Sequence, residues 1–163
     1  MTGNKEDSDK ETPFNEKESQ LRVKAIENSI PSFVINSDHE IVVWNKAMEK
    51  VSALSKDEMI GTGDPWKAFY PEKRDVLADI VVESGNPHEV YEHVEKSDAV
   101  PNGYSARGEV TLKGEKAHIL FTAAPLHDSK GEIIGAVENI QDITEIEEME
   151  EKAAKAWRMM RGV

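Results

Sequence analysis

The 163 residues suffice for one domain with its own hydrophobic core and are too few to predict two. The 32 acidic residues against 20 basic ones give a formal net charge of −12, which repels nucleic-acid phosphates and argues against a nucleic-acid partner. The absence of cysteine excludes disulfides, thiolate metal sites, cysteine nucleophiles and covalent cysteinyl adducts of flavin or other chromophores.

The start of the chain is polar and charged. Residues 1–15 carry too few apolar side chains to offset the entropy of ordering, so a disordered polar tail is predicted there. The sequence has no apolar signal-peptide core, and no apolar run approaches the roughly 18 residues that a spanning helix needs. We therefore expect a cytoplasmic protein with no membrane segment in this chain.

Residues 16–30 place apolar side chains such as Leu21 at helical spacing, and Pro31 then disfavours further helix. This pattern predicts an amphipathic lead-in helix. Two β-rich segments, SFVIN and EIVVWN, follow with turn residues between them, which predicts a β-hairpin.

The middle of the chain is predicted to be mainly helical. Asn45 and Ser55 are suitable N-cap residues for two short helices, and the apolar spacing in residues 72–85 predicts a longer one. Residues 86–103 contain prolines and no sustained period. Within them, only the segment HEVYEHV is compatible with one short strand, and the predicted number of strands does not include it.

Three β-rich segments, YSARGEVTL, KAHILFTAAPLHD and IIGAVENIQDI, predict an antiparallel meander. Residues 145–163 then form an exit helix, and Thr144 with Glu147 three residues later predicts a capping box at its start. Apolar residues of this helix alternate 3 and 4 positions apart, which is the seam of a coiled coil. With Leu21 of the lead-in helix, the predicted dimer interface comprises Ile146, Met149, Ala153, Ala156 and Met160.

Three phrases resemble the PAS domain family of sensory modules: EIVVWNKAMEK, LSKDEMIGT and DSKGEIIGAVENIQDITE. The resemblance covers roughly residues 18 to 145. It implies an α+β fold over residues 31–144, in which a five-stranded antiparallel sheet has helices packed on one face and is flanked by N-terminal and C-terminal helices. The third phrase is the most specific, and it implies that Asp142, Ile143 and Thr144 transmit a signal into the exit helix.

The resemblance also implies a function. A sensory PAS domain holds a small ligand or cofactor in an apolar cavity between sheet and helices, and passes the signal through its C-terminal helix to a histidine kinase or other partner. The residues expected to line that cavity are apolar or aromatic. They are Phe33, Ile35, Val43, Trp44, Trp66, Phe69, Tyr70, Leu77, Ile80, Phe121, Ala123 and Val137. The same residues also suit a filled core, and then the domain would serve protein interaction and dimerisation without a ligand.

Cofactors remain open at this point. The resemblance to haem-binding PAS domains makes His93 the haem candidate, although a solvated histidine is the preferred interpretation. Noncovalent flavin between aromatic residues such as Trp66 and Tyr70 is the other alternative, whereas a covalent flavin adduct is excluded by the missing cysteine. No nucleophile, oxyanion arrangement or phosphate loop accompanies the many carboxylates, so we predict no enzyme and no other metal site.

Overall fold

The computed structural model of the chain describes residues 16–162. The helices are α1 (Glu16–Glu27), α2 (Lys46–Ser52), α3 (Lys56–Met59), α4 (Leu77–Val82) and α5 (Thr144–Met160). The strands are β1 (Ser32–Asn36), β2 (Ile41–Trp44), β3 (His93–Lys96), β4 (Tyr104–Leu112), β5 (Glu115–His127) and β6 (Ile133–Asp142). Short 3-10 helices cover Pro65–Ala68 and Pro87–Glu89. The predicted tail of residues 1–15 lies outside the described residues.

All six strands form one antiparallel sheet in the order β2-β1-β6-β5-β4-β3. The predicted α+β class is confirmed, but the sheet has six strands instead of five. The additional strand is β3, a four-residue edge strand that pairs only with β4. Three of its four side chains are exposed, so it has no alternation of buried and exposed residues that a sequence pattern would reveal.

The helix predicted over residues 72–85 is much shorter than expected. Asp79 accepts a hydrogen bond from the backbone N–H of Val76 at 2.9 Å, and the helix α4 begins only at Leu77. The preceding residues take a non-helical path in which the Arg74 guanidinium lies 4.0 Å from the centre of the Tyr70 ring. In place of the helix that the apolar spacing predicts for residues 72–76, these side-chain contacts accompany an irregular segment.

The hydrophobic core lies between the sheet and the helices. All six residues of α4 are buried, and the helix packs chiefly against β5 and β6. Side chains of β5 alternate strictly, with Ile119, Phe121 and Ala123 on the core face. No helix within residues 16–162 is long and apolar enough to cross a membrane.

The junction between sheet and exit helix differs from the predicted capping box. The Thr144 hydroxyl accepts a hydrogen bond from the backbone N–H of His118 at 3.0 Å and donates one to Asp142 at 2.6 Å. Ile143 is buried, and its N–H donates to the carbonyl of His118 at 2.8 Å. Glu147 is directed to Arg107 instead of the helix start, at 3.1 Å. The helix is therefore attached to β5 and β4. Its N-cap residue Ile143 gives no side-chain cap, and the Asp142 carboxylate instead accepts from the N–H of Thr144 at 2.9 Å.

Asn45 connects the lead-in helix to the sheet and to α2. Its side-chain oxygen accepts from the N–H groups of Ser32 and Met48, at 3.1 and 2.8 Å. Its side-chain nitrogen donates to the carbonyls of Ile26 and Ile30, at 3.0 and 2.9 Å. The residue is fully buried, and its four hydrogen bonds satisfy the amide completely.

Replacing Asn45 by Ala should lower the free energy of unfolding by about 2 kcal/mol or more, because it removes an N-cap and leaves buried backbone groups unpaired. The measurement is urea denaturation followed by circular dichroism. Ser55→Ala is the matched control, since Ser55 caps α3 through a single bond to Glu58 and should cost about 1 kcal/mol. Equal losses in the two variants would contradict the connecting role of Asn45.

Candidate functional site

Ten of the twelve residues predicted to line an apolar cavity belong to the core or pack against it. Trp66 and Tyr70 are half-buried against the core. The eight buried ones are Phe33, Ile35, Trp44, Phe69, Leu77, Ile80, Phe121 and Ala123. The aromatic rings among them form contacts, as in the edge-to-face pair of Phe69 and Phe121 with centroids 5.3 Å apart. Ligand binding at these residues stays a prediction.

Val43 and Val137 lie on the other face of the sheet, contrary to the expectation that they face the helices. Both are cross-strand partners of Val34, whose neighbours Phe33 and Ile35 are the buried residues of β1. Because side chains alternate along a strand, the three valines share the outer face.

A carboxyl group lies on the core face of the central strand. Glu138 alternates with Ala136 and Ile140, which are both buried, and its own exposure is 0%. One carboxyl oxygen accepts a hydrogen bond from the backbone N–H of Ala78 at 2.6 Å, whereas the other has no partner. Burial raises the pKa of Glu138 to about 8, so the group is mostly protonated at neutral pH.

Two more buried polar atoms are poorly paired. The Nε of Arg74 has no hydrogen-bond partner. The hydroxyl of Tyr91, a residue only 6% exposed, has the Tyr70 hydroxyl beside it but forms no well-aligned hydrogen bond. The Arg74 guanidinium lies 4.0 Å from the centre of the Tyr70 ring and 5.3 Å from that of Tyr91, which are cation–π distances. Burial raises the pKa of both tyrosines, so both hydroxyls stay protonated.

A cleft of about 600 Å³ opens beside this group. Its inner wall is formed by Tyr70, Arg74 and Tyr91, and its outer part reaches the start of α5 at Ile143 and Glu147. The remaining lining residues are mostly polar or charged. They are Val90, Glu92, His93, Arg107, Gly108, Glu109 and His118. Its volume falls in the range of small-molecule sites, and its lining carries more charge than the apolar cavity that the sequence predicted.

His93 is exposed on β3 and is the cross-strand partner of Arg107. It borders the cleft from outside the core. No cluster of three or more metal-ligating side chains occurs among residues 16–162. Haem ligation by His93 stays a prediction, and the position of His93 on an edge strand gives it no apolar pocket for a porphyrin.

A second polar group ties α4 to the β1–β2 turn. The His39 ring lies between two carboxylates, with Nδ1 2.7 Å from Asp79 and Nε2 2.7 Å from Glu83. Burial lowers the pKa of His39, but the hydrogen bonds to Asp79 and Glu83 outweigh burial and raise it. The ring therefore bridges α4 and the residue after it to the β1–β2 turn.

A family model described as a PAS fold matches residues 29–148. The chain belongs to the PAS fold family. PAS domains are generally sensory or signalling modules and typically have no enzymatic activity of their own. No curated protein resembles the chain closely enough to match it.

Solved structures agree on the fold. The PAS domain of BvgS from Bordetella pertussis is 21% identical, with 85% of this chain and 96% of that chain covered and a TM-score of 0.52. A PAS domain from Colwellia psychrerythraea is 20% identical, with coverages of 78% and 98% and a TM-score of 0.52. The Vibrio cholerae VqmA dimer, a LuxR-type receptor, is 15% identical, with coverages of 78% and 52% and a TM-score of 0.53. Identities this low establish the PAS fold alone.

Sequence reasoning missed the polar residues of this PAS domain, namely Arg74, Tyr91 and Glu138. Arg74 and Tyr91 lie in irregular segments, where no period distinguishes a buried side chain from an exposed one. Glu138 did leave a signal, because the alternation in AVENI places a carboxylate among the apolar residues of one strand face.

The stability of the wild type should fall relative to that of Glu138→Gln as the pH rises from about 5 to 9. The folded carboxyl keeps its proton up to about pH 8, whereas the unfolded one ionises near 4.5. The stabilisation due to the protonated form is therefore complete below pH 4.5 and is lost as the pH rises through 8.

Urea denaturation at several pH values measures this difference. Glu148→Gln, which removes an exposed carboxylate, is the matched control and should follow the wild type at every pH. His39, Asp79 and Glu83 are present in all three proteins, so their own titration largely cancels in the comparison. A constant difference between the wild type and Glu138→Gln across the range would contradict the raised pKa.

Proposed function

We propose that this PAS domain is a sensor that binds a small molecule in the cleft beside Tyr70, Arg74 and Tyr91. Binding is transmitted through the exit helix α5 to an output partner such as a histidine kinase. The protein works in the cytoplasm as a homodimer, without a nucleic-acid partner and without catalysis of its own.

The observation that carries this proposal is a cation without an anionic partner at the wall of the cleft. Arg74 is half-buried and lines the cleft together with Tyr70 and Tyr91, and its Nε has no hydrogen-bond partner. A buried polar group without a hydrogen bond costs roughly 1 to 3 kcal/mol, so proteins seldom leave such groups unpaired. A polar molecule bound in the cleft would pair with the part of the Arg74 guanidinium that faces it.

Transmission rests on the junction at Asp142, Ile143 and Thr144. These residues connect the last strand to α5, and Thr144 and Ile143 both bond to the backbone of His118 on β5. No residue of α5 is buried by the rest of the chain. A shift at the cleft would therefore reach a helix whose residues are all at least partly exposed.

Dimerisation is supported by the exposure of the predicted seam. Met149 and Met160 are 70% and 81% exposed, and Leu21 and Ile146 are exposed as well. A groove with a mixed polar and apolar lining, bordered by Ile30 and Ile146, lies between the start of the seam and the sheet. Exposed apolar surface of this kind marks an interaction site, and the 3 and 4 spacing suits a second helix.

A ligand-free interaction module is the second candidate function. It is favoured by the filled core, where eight of the predicted cavity residues are buried against one another. In that case the exposed seam is the functional surface and the cleft holds only water.

Identification of the small molecule tests the choice between these functions. The freshly purified protein is examined by absorbance from about 300 to 700 nm, then denatured, and the released molecules are analysed by mass spectrometry. A colourless protein that releases a small molecule, and a Tyr91→Phe variant that releases less of it, would support sensing. Nothing released and no thermal shift with any of a panel of metabolites would favour the interaction module.

The same spectrum tests the cofactor alternatives. A Soret band would make this a haem sensor with His93 as the first residue to change, and a flavin spectrum would direct attention to the aromatic residues between Trp66 and Tyr70. Either band would replace the proposal of a colourless metabolite.

Met149→Asp combined with Ala153→Asp should convert the dimer into a monomer, because the two charges would lie inside the apolar seam. Light scattering measures the mass. Arg158→Asp is the matched control, since it changes the net charge by the same amount on the opposite side of the helix and should leave a dimer. A dimer that persists in the double variant would exclude this seam as the interface.

A further inference from the structure

One ion pair joins the cleft to the exit helix. Arg107 on β4 and Glu147 in the first turn of α5 approach to 3.1 Å, and both residues line the cleft. Within residues 16–162, Glu147 is the last residue of α5 that forms a hydrogen bond or ion pair to the sheet. Beyond this pair, α5 extends away without a further hydrogen bond or ion pair to the sheet in the described residues.

This ion pair is easy to replace. The side chains of Arg107 and Glu147 are 50% and 30% exposed, and exposed pairs contribute little because water screens them. An anion bound in the cleft would offer the guanidinium an equivalent partner at small cost. Arginine suits such an exchange because its planar guanidinium can donate its hydrogen bonds to one carboxylate as well as to another.

The inner wall of the cleft supplies a second cation with no anionic partner. Among residues 16–162, no carboxylate lies within ion-pair distance of Arg74. Its guanidinium instead forms cation–π contacts with the rings of Tyr70 and Tyr91. The carboxylate of Glu109, by contrast, already lies near Lys116 and His118, at 3.5 and 3.9 Å. Arg74 thus offers the cleft a cation without an anionic partner, beside the rings of Tyr70 and Tyr91.

We propose that the cleft binds a small organic acid whose carboxylate pairs with Arg74 and reaches Arg107, displacing Glu147 and releasing the start of the exit helix. This inference rests on the proposed sensory function and names its ligand class and its route of output. A carboxylate is favoured over a phosphate because Glu92, Glu109 and Glu147 border the same cleft and repel a dianion more strongly than a monoanion.

Binding is measured by calorimetry with the monoanions pyruvate, monomethyl succinate and benzoate as probes. Succinamide serves as the neutral comparison and inorganic phosphate as the other anion. At least one carboxylate should bind, Arg74→Gln should weaken its binding about tenfold or more, and Glu147→Gln should strengthen it about two- to fivefold by removing the competitor. Arg158→Gln, which removes an exposed cation far along α5, is the matched control and should bind like the wild type.

Release of the helix needs its own readout. The chain has no cysteine, so Glu148→Cys carries a single nitroxide label on an exposed position next to Glu147. The bound carboxylate should increase the mobility of the label, and Glu147→Gln should give the mobile spectrum without any ligand. Thermal melting of each variant verifies that the domain is folded.

The outcomes separate this inference from the function on which it rests. Binding of no carboxylate by the wild type, or equal binding of succinamide or phosphate, overturns the ligand class, while a neutral molecule released from the purified protein would leave the sensory function intact. Carboxylate binding that depends on Arg74 but leaves the label unchanged overturns the route through Glu147. Unchanged binding in Arg74→Gln overturns the assigned site.

Discussion

The burial of the Glu138 carboxyl constrains the whole interior of this PAS domain. The group lies on the apolar face of the central strand, with one oxygen held by the N–H of Ala78 and the other unpaired. An apolar side chain of similar size at this position would avoid the desolvation cost, so stability alone does not account for a glutamate there. The residue, together with Tyr91 and Arg74, keeps the interior polar on the side where the cleft opens.

Glu138 lies on β6, the strand that leads directly to the exit helix. Its strand β6 lies between β1 and β5 and is therefore fixed on both sides, so it cannot move without its neighbours. Four residues further along β6 comes Asp142, which holds Thr144 at the start of α5. The strand that carries the buried carboxyl is thus the strand that continues into the exit helix, and a rearrangement at one end need not cross a loop to reach the other.

The fold could be predicted from the sequence and the site could not, for one physical reason. Strands such as β5 alternate buried and exposed residues, and the apolar residues of α5 recur every 3 or 4 positions. Each of these patterns can be read within a single strand or helix. The cleft instead depends on side chains from separate irregular segments, such as Arg74 before α4 and Tyr91 before β3, which meet only after folding. The edge strand β3 was missed for a related reason, because its exposed side chains carry no period.

The exit helix is suited to signalling because the domain does not depend on it. Its 17 residues include none that is buried, so the helix can shift or fray without exposing the core. Its apolar seam nevertheless needs a partner in water, and a second helix that covers the seam would be sensitive to its register. In the proposed sensor, a weak contact at the base of the helix, such as the pair of Arg107 and Glu147, would suffice, because the energy that opposes a change of register would come from the partner helix and not from the sensor core.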